Sequence, residues 1–160
     1  MNFRVGQGYD VHRLEEGLDF CLGGIKIPHT KGCVAHSDGD VLIHALCDAL
    51  LGAAALRDIG YHFPDTDPQY KNIDSKILLS KTINLLSQHH YQIVNIDSTI
   101  CLQQPKIKDF IPEMVQKLAQ VMRIDEDKIS VKATTTEKLG FVGREEGISA
   151  YATVLIQKQA

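Results

Sequence analysis

Residues 40–56, DVLIHALCDALLGAAAL, leave the chain less choice than any other segment. Ser37-Asp38-Gly39-Asp40 supplies helix-starting residues just before it, and the spacing predicts a helix over 40–56. Val41, Leu42, Ile43, Leu46, Leu50 and Leu51 point round nearly the whole circumference, so this helix must be buried on all sides. Its polar exceptions are Asp40, His44 and Asp48, each four residues from the next. That interval places them in one stripe, about 6 Å apart along the axis. An unpaired buried polar group costs about 1–3 kcal/mol, so the stripe must face a satisfied polar site or solvent.

The remaining segments supply the layers around such a helix. Residues 2–12 read as a strand with two glycines, 18–28 as a short hairpin about Gly23-Gly24, and 57–72 as a loop. A second helix is expected over 73–90, a strand over 92–102 and a third helix over 109–122. Strands follow at 129–136 and 147–157; in the last, Ile148, Ala150, Ala152, Val154 and Ile156 alternate onto one face. This order predicts an α+β fold, a sheet packed against helices, in one domain over 1–160.

Composition narrows the function. A formal charge of −3 argues against a general nucleic-acid or membrane-surface binder, either of which wants a basic face. Cys21, Cys33, Cys47 and Cys101 form no C-x-x-C pair and read as small buried hydrophobes in a reducing cytoplasm. No signal peptide or membrane-spanning run is expected.

In a strand, Asp10 and His12 point to one face, and Gly6 and Gly8 on that face leave it open beside them. A carboxylate and an imidazole so placed suit a first-row metal, with His44 as a third ligand oriented by a carboxylate such as Asp48. Three ligands leave a fourth tetrahedral position open, as catalytic sites do. Zinc fits this donor set, as do manganese and iron. A surface Asp and His, with a solvent-facing helix stripe, satisfies the same pattern. Further on, the hydroxyls of Thr134, Thr135 and Thr136 can donate to phosphate, Glu137 can hold a hard cation and Arg144 can fork onto phosphate. A threonine run is also ordinary strand material. The acidic stretches at 58–60 and 63–67 read as solvated turns on sequence alone.

The segments GYDVHRL (Gly8–Leu14), AHSDGDVLIHALCDALLGA (Ala35–Ala53), DIGYHFPDTDP (Asp58–Pro68) and KATTTEKLGFVGREEGI (Lys132–Ile148) closely resemble the 2-C-methyl-D-erythritol 2,4-cyclodiphosphate synthase family. The likeness runs end to end, with four motifs in order. It implies a mixed β-sheet packed on one side by α-helices, a homotrimer with active sites between subunits, and closure of a cyclic diphosphate with release of CMP. It also implies zinc on Asp10, His12 and His44, with magnesium or manganese on Glu137. His36 and Thr135 resemble the pair that stabilises the transition state, and Ser37 neighbours a substrate phosphate.

The same resemblance implies that Asp58, Ile59 and Gly60 take the ribose of a cytidylyl substrate. Leu102, Gln103, Gln104, Pro105, Lys106, Ile107 and Lys108, with Thr134, take the cytosine. Phe63, Pro64, Asp65, Thr66 and Asp67 lie along the methylerythritol phosphate, and Thr136, Phe141 and Arg144 complete the substrate-binding set. Some relatives carry Glu at the position of Tyr151, beside Arg144 on the trimer axis, where an isoprenoid phosphate is proposed to bind. The tyrosine changes the charge there. The rival readings are a zinc phosphohydrolase, which shares the triad but delivers water to phosphorus, and a non-catalytic nucleotide-binding trimer.

Overall fold

The computed structural model describes residues 2–159. The first strand, β1 (Phe3–Glu16), runs four residues past its predicted end because it changes partner instead of stopping. Phe3 to Arg13 pair antiparallel with the last strand, while Leu14–Glu16 pair with a short strand at Lys31–Cys33. Between these, β2 (Phe20–Leu22) and β3 (Ile25–Ile27) form the expected hairpin. Its turn residues Gly23 and Gly24 hold φ of 62° and 79°, a pair of angles that side chains rarely adopt. β4 (Lys31–Cys33) is too short to show periodicity, and the sequence predicts no strand there.

Helix α1 (Val41–Ala53) is shorter than predicted at both ends. Asp40 caps it, and Ala55, at φ 59°, turns the chain away. The expected loop at 57–72 contains one short helix, α2 (Ile59–His62), and a tight turn at Pro68–Tyr70. Then come α3 (Ser75–Gln88), β5 (Tyr91–Cys101), α4 (Ile111–Met122), β6 (Ile129–Thr134), α5 (Gly140–Gly143) and β7 (Gly147–Lys158). β6 stops two residues before the predicted 136, where the threonines leave the sheet.

The main sheet has the order β4-β1-β7-β5-β6. Only β5 and β6 run parallel, joined by the crossover through α4, so the sheet is mixed. α1 packs on β1 and β7, α3 on β5 and α4 on β6. The covered face of β7 is the predicted alternation Ile148 to Ile156, all buried, and it meets Leu42, Ile43, Leu46 and Leu50 in one core. Fully burying one such side chain contributes about 1.5–3 kcal/mol. The other face of the sheet leaves Phe3, Val5, Tyr9, Val11 and Tyr151 exposed, the two tyrosine rings 4.9 Å apart. Cys33 and Cys47 are buried, as expected of inert core cysteines, and burial pushes both thiols up to about 12, whereas Cys21 and Cys101 are only partly buried. Among the described residues no helix is long and apolar enough to cross a membrane.

One prediction about β1 is corrected. Gly6 and Gly8 do not leave the strand open; α1 closes over them. A Cβ on Gly6 would stand 2.0 Å from the Ala49 carbonyl oxygen, and one on Gly8 1.9 Å from that of Ala45. Glycine against alanine lets strand and helix approach at backbone distance, and no larger pair would. That approach sets His44, the residue before Ala45, beside Asp10, two residues beyond Gly8.

Candidate metal centre

Asp10 and His12 leave β1 on the same side, and His44 reaches them from α1. Asp10 Oδ2 lies 2.8 Å from His12 Nε2 and 3.1 Å from His44 Nδ1, and the two ring nitrogens are 3.2 Å apart. Ligands about 2.0–2.1 Å from a tetrahedral ion stand about 3.3 Å from one another, so the three donor atoms already span most of one face of such a shell. Among the described residues, no other group of His, Cys, Asp or Glu side chains converges in this way. Burial pushes the Asp10 carboxyl up, but hydrogen bonds and charge from His12 and His44 outweigh it and bring the group down to about 2. Burial lowers His44, and the Asp10 hydrogen bond with the charges of Asp10, Asp40 and Asp38 more than restores it, for a net rise. One carboxylate and two imidazoles at these separations fit a zinc-like cation, with a position left for a substrate oxygen.

The polar stripe of α1 resolves into three different roles. Asp40 is buried and accepts backbone N–H bonds from Ile43 (3.0 Å), Gly23 (3.0 Å) and Gly24 (2.7 Å), tying the hairpin to the start of the helix. Asp48 does not orient His44, contrary to the sequence reading. Its Oδ1 accepts from Ile59 N at 2.8 Å, fixing the first turn of α2. His44 Nε2 instead meets Ser75 Oγ at 2.9 Å and Ser37 Oγ at 3.2 Å. Ser75, in turn, donates both its O–H and its N–H to Asp38. Neither Ser75 nor Asp38 stands out in the sequence, where both look like ordinary helix-start residues.

A cavity of about 300 Å³ opens beside the triad. His36, Ser37, Ile59, Gly60, Phe63 and Asp65, all predicted, line it with His12 and His44. His36 Nε2 is buried there with no hydrogen-bond partner among the described residues. Asp58 caps α2, accepting from Tyr61 N at 2.8 Å, and Asp67 caps the turn after Pro64 and Thr66, accepting from Gln69 N at 3.0 Å. Tyr70, Ile73 and Leu78 also line the cavity, although the sequence did not single them out. Tyr70 packs edge-on against Phe63, ring centroids 5.6 Å apart.

The other predicted residues gather elsewhere. In register, Asp10 pairs with Ala150, Ala150 with Ile100 and Ile100 with Ala133. The end of β5 therefore lies two strand spacings, about 10 Å, from the strand of the triad, and the end of β6 three, about 14 Å. There Leu102 N donates to Thr134 O at 2.9 Å, and Lys138 N to Gln103 Oε1 at 3.3 Å, joining the 102–108 stretch to the threonine loop. Leu102 and Ile107 are buried, while Gln104, Pro105, Lys106 and Lys108 follow the surface between them. Thr134 Oγ1 donates to Thr135 O (2.9 Å) and Thr136 Oγ1 to Leu139 O (2.7 Å), so both hydroxyls are engaged within their own loop. Thr135 Oγ1 accepts from Glu137 N at 3.3 Å, which leaves its own hydrogen to give. Glu137 and Lys138 hold φ of 54° and 63°, a conformation that costs a non-glycine residue about 1 kcal/mol or more. Arg144 forks onto Glu146 at 2.9 and 3.3 Å, Phe141 packs beside Gly147, and Tyr151 stacks on Tyr9.

With this geometry in hand, the chain can be set beside known proteins. Residues 3–157 match the model of the YgbB family. The 2-C-methyl-D-erythritol 2,4-cyclodiphosphate synthase of Bacteroides fragilis is 66% identical over 158 residues, 99% of each chain. Among solved structures, the bifunctional IspDF of Campylobacter jejuni superposes at a TM-score of 0.95 with 44% identity. The match covers 98% of this chain and 42% of that longer one. The CDP complex of IspF from Plasmodium falciparum superposes at 0.87 with 35% identity, covering 99% and 98% of the two chains.

Proposed function

The chain belongs to the YgbB family, and on that premise we propose that it closes a cyclic diphosphate. The substrate is 4-diphosphocytidyl-2-C-methyl-D-erythritol 2-phosphate; the products are 2-C-methyl-D-erythritol 2,4-cyclodiphosphate and CMP, in the non-mevalonate route to isoprenoid precursors. The observation that carries this reading is the convergence of Asp10, His12 and His44 at the mouth of a cavity lined by the other family-motif residues.

The 2-phosphate oxygen is the nucleophile. It already bears negative charge, so no side chain need remove a proton from it. It attacks the β-phosphorus, and the bond from that phosphorus to the CMP oxygen breaks. Zinc on Asp10, His12 and His44, with magnesium or manganese on Glu137, supplies the positive charge that makes the diphosphate electrophilic and CMP a better leaving group. His36, which lines the cavity and whose Nε2 has no partner among the described residues, stabilises the transferring phosphoryl group, and Thr135 offers its hydroxyl hydrogen to the same charge. Ser37 and the loop from Phe63 to Asp67 seat the methylerythritol phosphate, and Asp58 to Gly60 the ribose. Ile59, Phe63, Tyr70, Ile73 and Leu78 keep that wall apolar, which matters because hydrolysis competes with cyclisation. Holding nucleophile and electrophile of one flexible substrate together lowers the barrier by several kcal/mol, of the roughly 7–11 that orientation can supply.

The chain acts as a single catalytic domain in a cytoplasmic homotrimer. Two features support the trimer: the nucleotide-type residues at 102–108 and 134–136 follow strands that lie about 10 and 14 Å from the strand of the triad, and the uncovered sheet face is rich in exposed apolar side chains. A neighbouring copy brings its 102–108 and 134–144 segments to the triad. Light scattering should give about three times the 17.8 kDa chain mass. Incubation with the cytidylyl substrate should yield CMP and the cyclic diphosphate; a linear diphosphate or free phosphate would instead establish a phosphohydrolase.

A further inference from the structure

Behind the triad, the bonds among Asp38, Ser75 and His44 have only one consistent direction. Asp38 accepts throughout: from Asp40 N at 3.1 Å, from Ser75 N at 2.9 Å and from the Ser75 hydroxyl. A carboxylate engaged in this way has no hydrogen to give. Ser75 has one hydroxyl hydrogen, and Asp38 takes it. Toward His44 Nε2, 2.9 Å away, Ser75 Oγ can then only accept. The hydrogen of the neutral ring must then sit on Nε2, which leaves the lone pair on Nδ1, aimed at Asp10 and His12.

Two neighbours bear on this choice. Ser37 Oγ, 3.2 Å from Nε2, accepts from Gly39 N and is a second acceptor for the same hydrogen. Asp10 Oδ2, 3.1 Å from Nδ1, pulls the other way, since a hydrogen on Nδ1 would bond it directly. Without Ser75, Asp10 would capture the ring hydrogen and block the atom that a metal needs. The geometry of the chain is secured from both ends. Asp38 N donates to Ile73 O at 3.1 Å and Asn72 N to His36 O at 2.7 Å, zipping the approach to α1 onto the approach to α3. Ser75 itself is completely buried.

We infer that Ser75, polarised by Asp38, is a positioning residue that sets the tautomer of His44 and so readies Nδ1 for the metal. The inference rests on the triad being a metal centre. A bare structural staple between loops would not care which ring nitrogen holds the hydrogen.

The test uses the full chain with ¹⁵N-labelled histidine, stripped of metal by a chelator. Long-range nitrogen–proton correlation spectra should show His44 protonated on Nε2 in the native sequence and on Nδ1 in Ser75→Ala. Asp38→Asn should move the hydrogen as well. Its amide can donate to Ser75 Oγ, releasing the serine hydrogen toward Nε2 and reversing the chain. Zinc affinity, read by competition with a chromophoric chelator, should fall about 10–100-fold in both variants and be restored by Ser75→Thr. The inference is overturned if the native chain carries the hydrogen on Nδ1, or if both variants bind zinc as tightly as it does. Should Ser75→Ala not fold, the native spectrum and Asp38→Asn still decide. A native chain that takes up no zinc at all removes the metal centre, and this inference with it, which is a different result from equal binding by native and variant.

Discussion

The two ends of the sheet are built in opposite ways. At the β1 end, Asp10, His12 and His44 stand on a regular strand and a buried helix, held together by a glycine–alanine contact and braced by Ser75 and Asp38. At the β6 end, Thr134 to Leu139 form a largely exposed loop with two adjacent left-handed residues and hydroxyls bonded to their own backbone. A metal needs its donors placed to within a few tenths of an ångström before anything binds, and only packed regular elements give that. On the proposed function, a nucleotide and a neighbouring subunit complete that loop, which needs no such fixed placement beforehand. The first region converges within one chain.

The largest effect should come from Gly8→Ala. Its Cβ would collide with the Ala45 carbonyl, so α1 must lift off β1, at a cost of about 3 kcal/mol or more, with loss of the metal site. Urea unfolding with zinc titration checks this, and a native-like variant would show that the β1 end is not rigid. Next, His44→Ala should lose zinc and lower CMP release more than about 100-fold, beyond the range for residues behind the ligands. Full activity would remove the metal from the reaction. Glu137→Gln should lower kcat/KM about 100-fold with zinc content and melting temperature unchanged. If it also strips zinc, the two ends are one site and the contrast fails.

A smaller effect concerns acid. The Asp10 carboxyl sits at about 2 in the folded chain against an ordinary 3.8, so its contribution is present above pH 4 and lost as pH falls toward 2. In chelator, the stability difference between the native chain and Asp10→Asn should shrink by roughly 2 kcal/mol across that window; a constant difference would show that the triad is not electrostatically coupled. Smallest of all, Leu139→Ser should change stability by less than about 0.5 kcal/mol, because the side chain is 72% exposed on the loop. A larger loss in dilute monomer would mean that the loop is already packed.

The same contrast explains what the sequence made legible. Period two put Asp10 and His12 on one face, and the four-residue stripe aimed His44 toward a polar site, because regular elements translate spacing into direction. Direction does not name a partner, so Asp48 was assigned to His44 when it holds Ile59. Ser75 and Asp38 escaped notice because a serine and an aspartate near helix starts carry no periodic signal; only tertiary folding brings residues 38 and 75 together. Glycine spacing was visible, but whether it meant open space or a close neighbour depends on what packs above it. β4, α2 and α5 are each shorter than the period needed to announce them. The site residues split likewise: many of those on β1, α1 and the adjoining loops line the cavity, while those from Leu102 to Lys108 and from Thr134 to Thr136 lie at the ends of β5 and β6, a separation that no local pattern encodes.

The strand at the middle of the sheet comes last in sequence among the described strands. β7 lies between β1 and β5, and apart from the three-residue pairing with β4, β1 has no other neighbour. Asp10 and His12 thus find their sheet partners, Ala150 and Ile148, some 140 residues further along the chain, although α1 packs on their strand much sooner. Long-range pairing of this kind closes slowly. The strand that carries two of the three converging side chains is therefore locked into the sheet by the residues furthest from it in sequence.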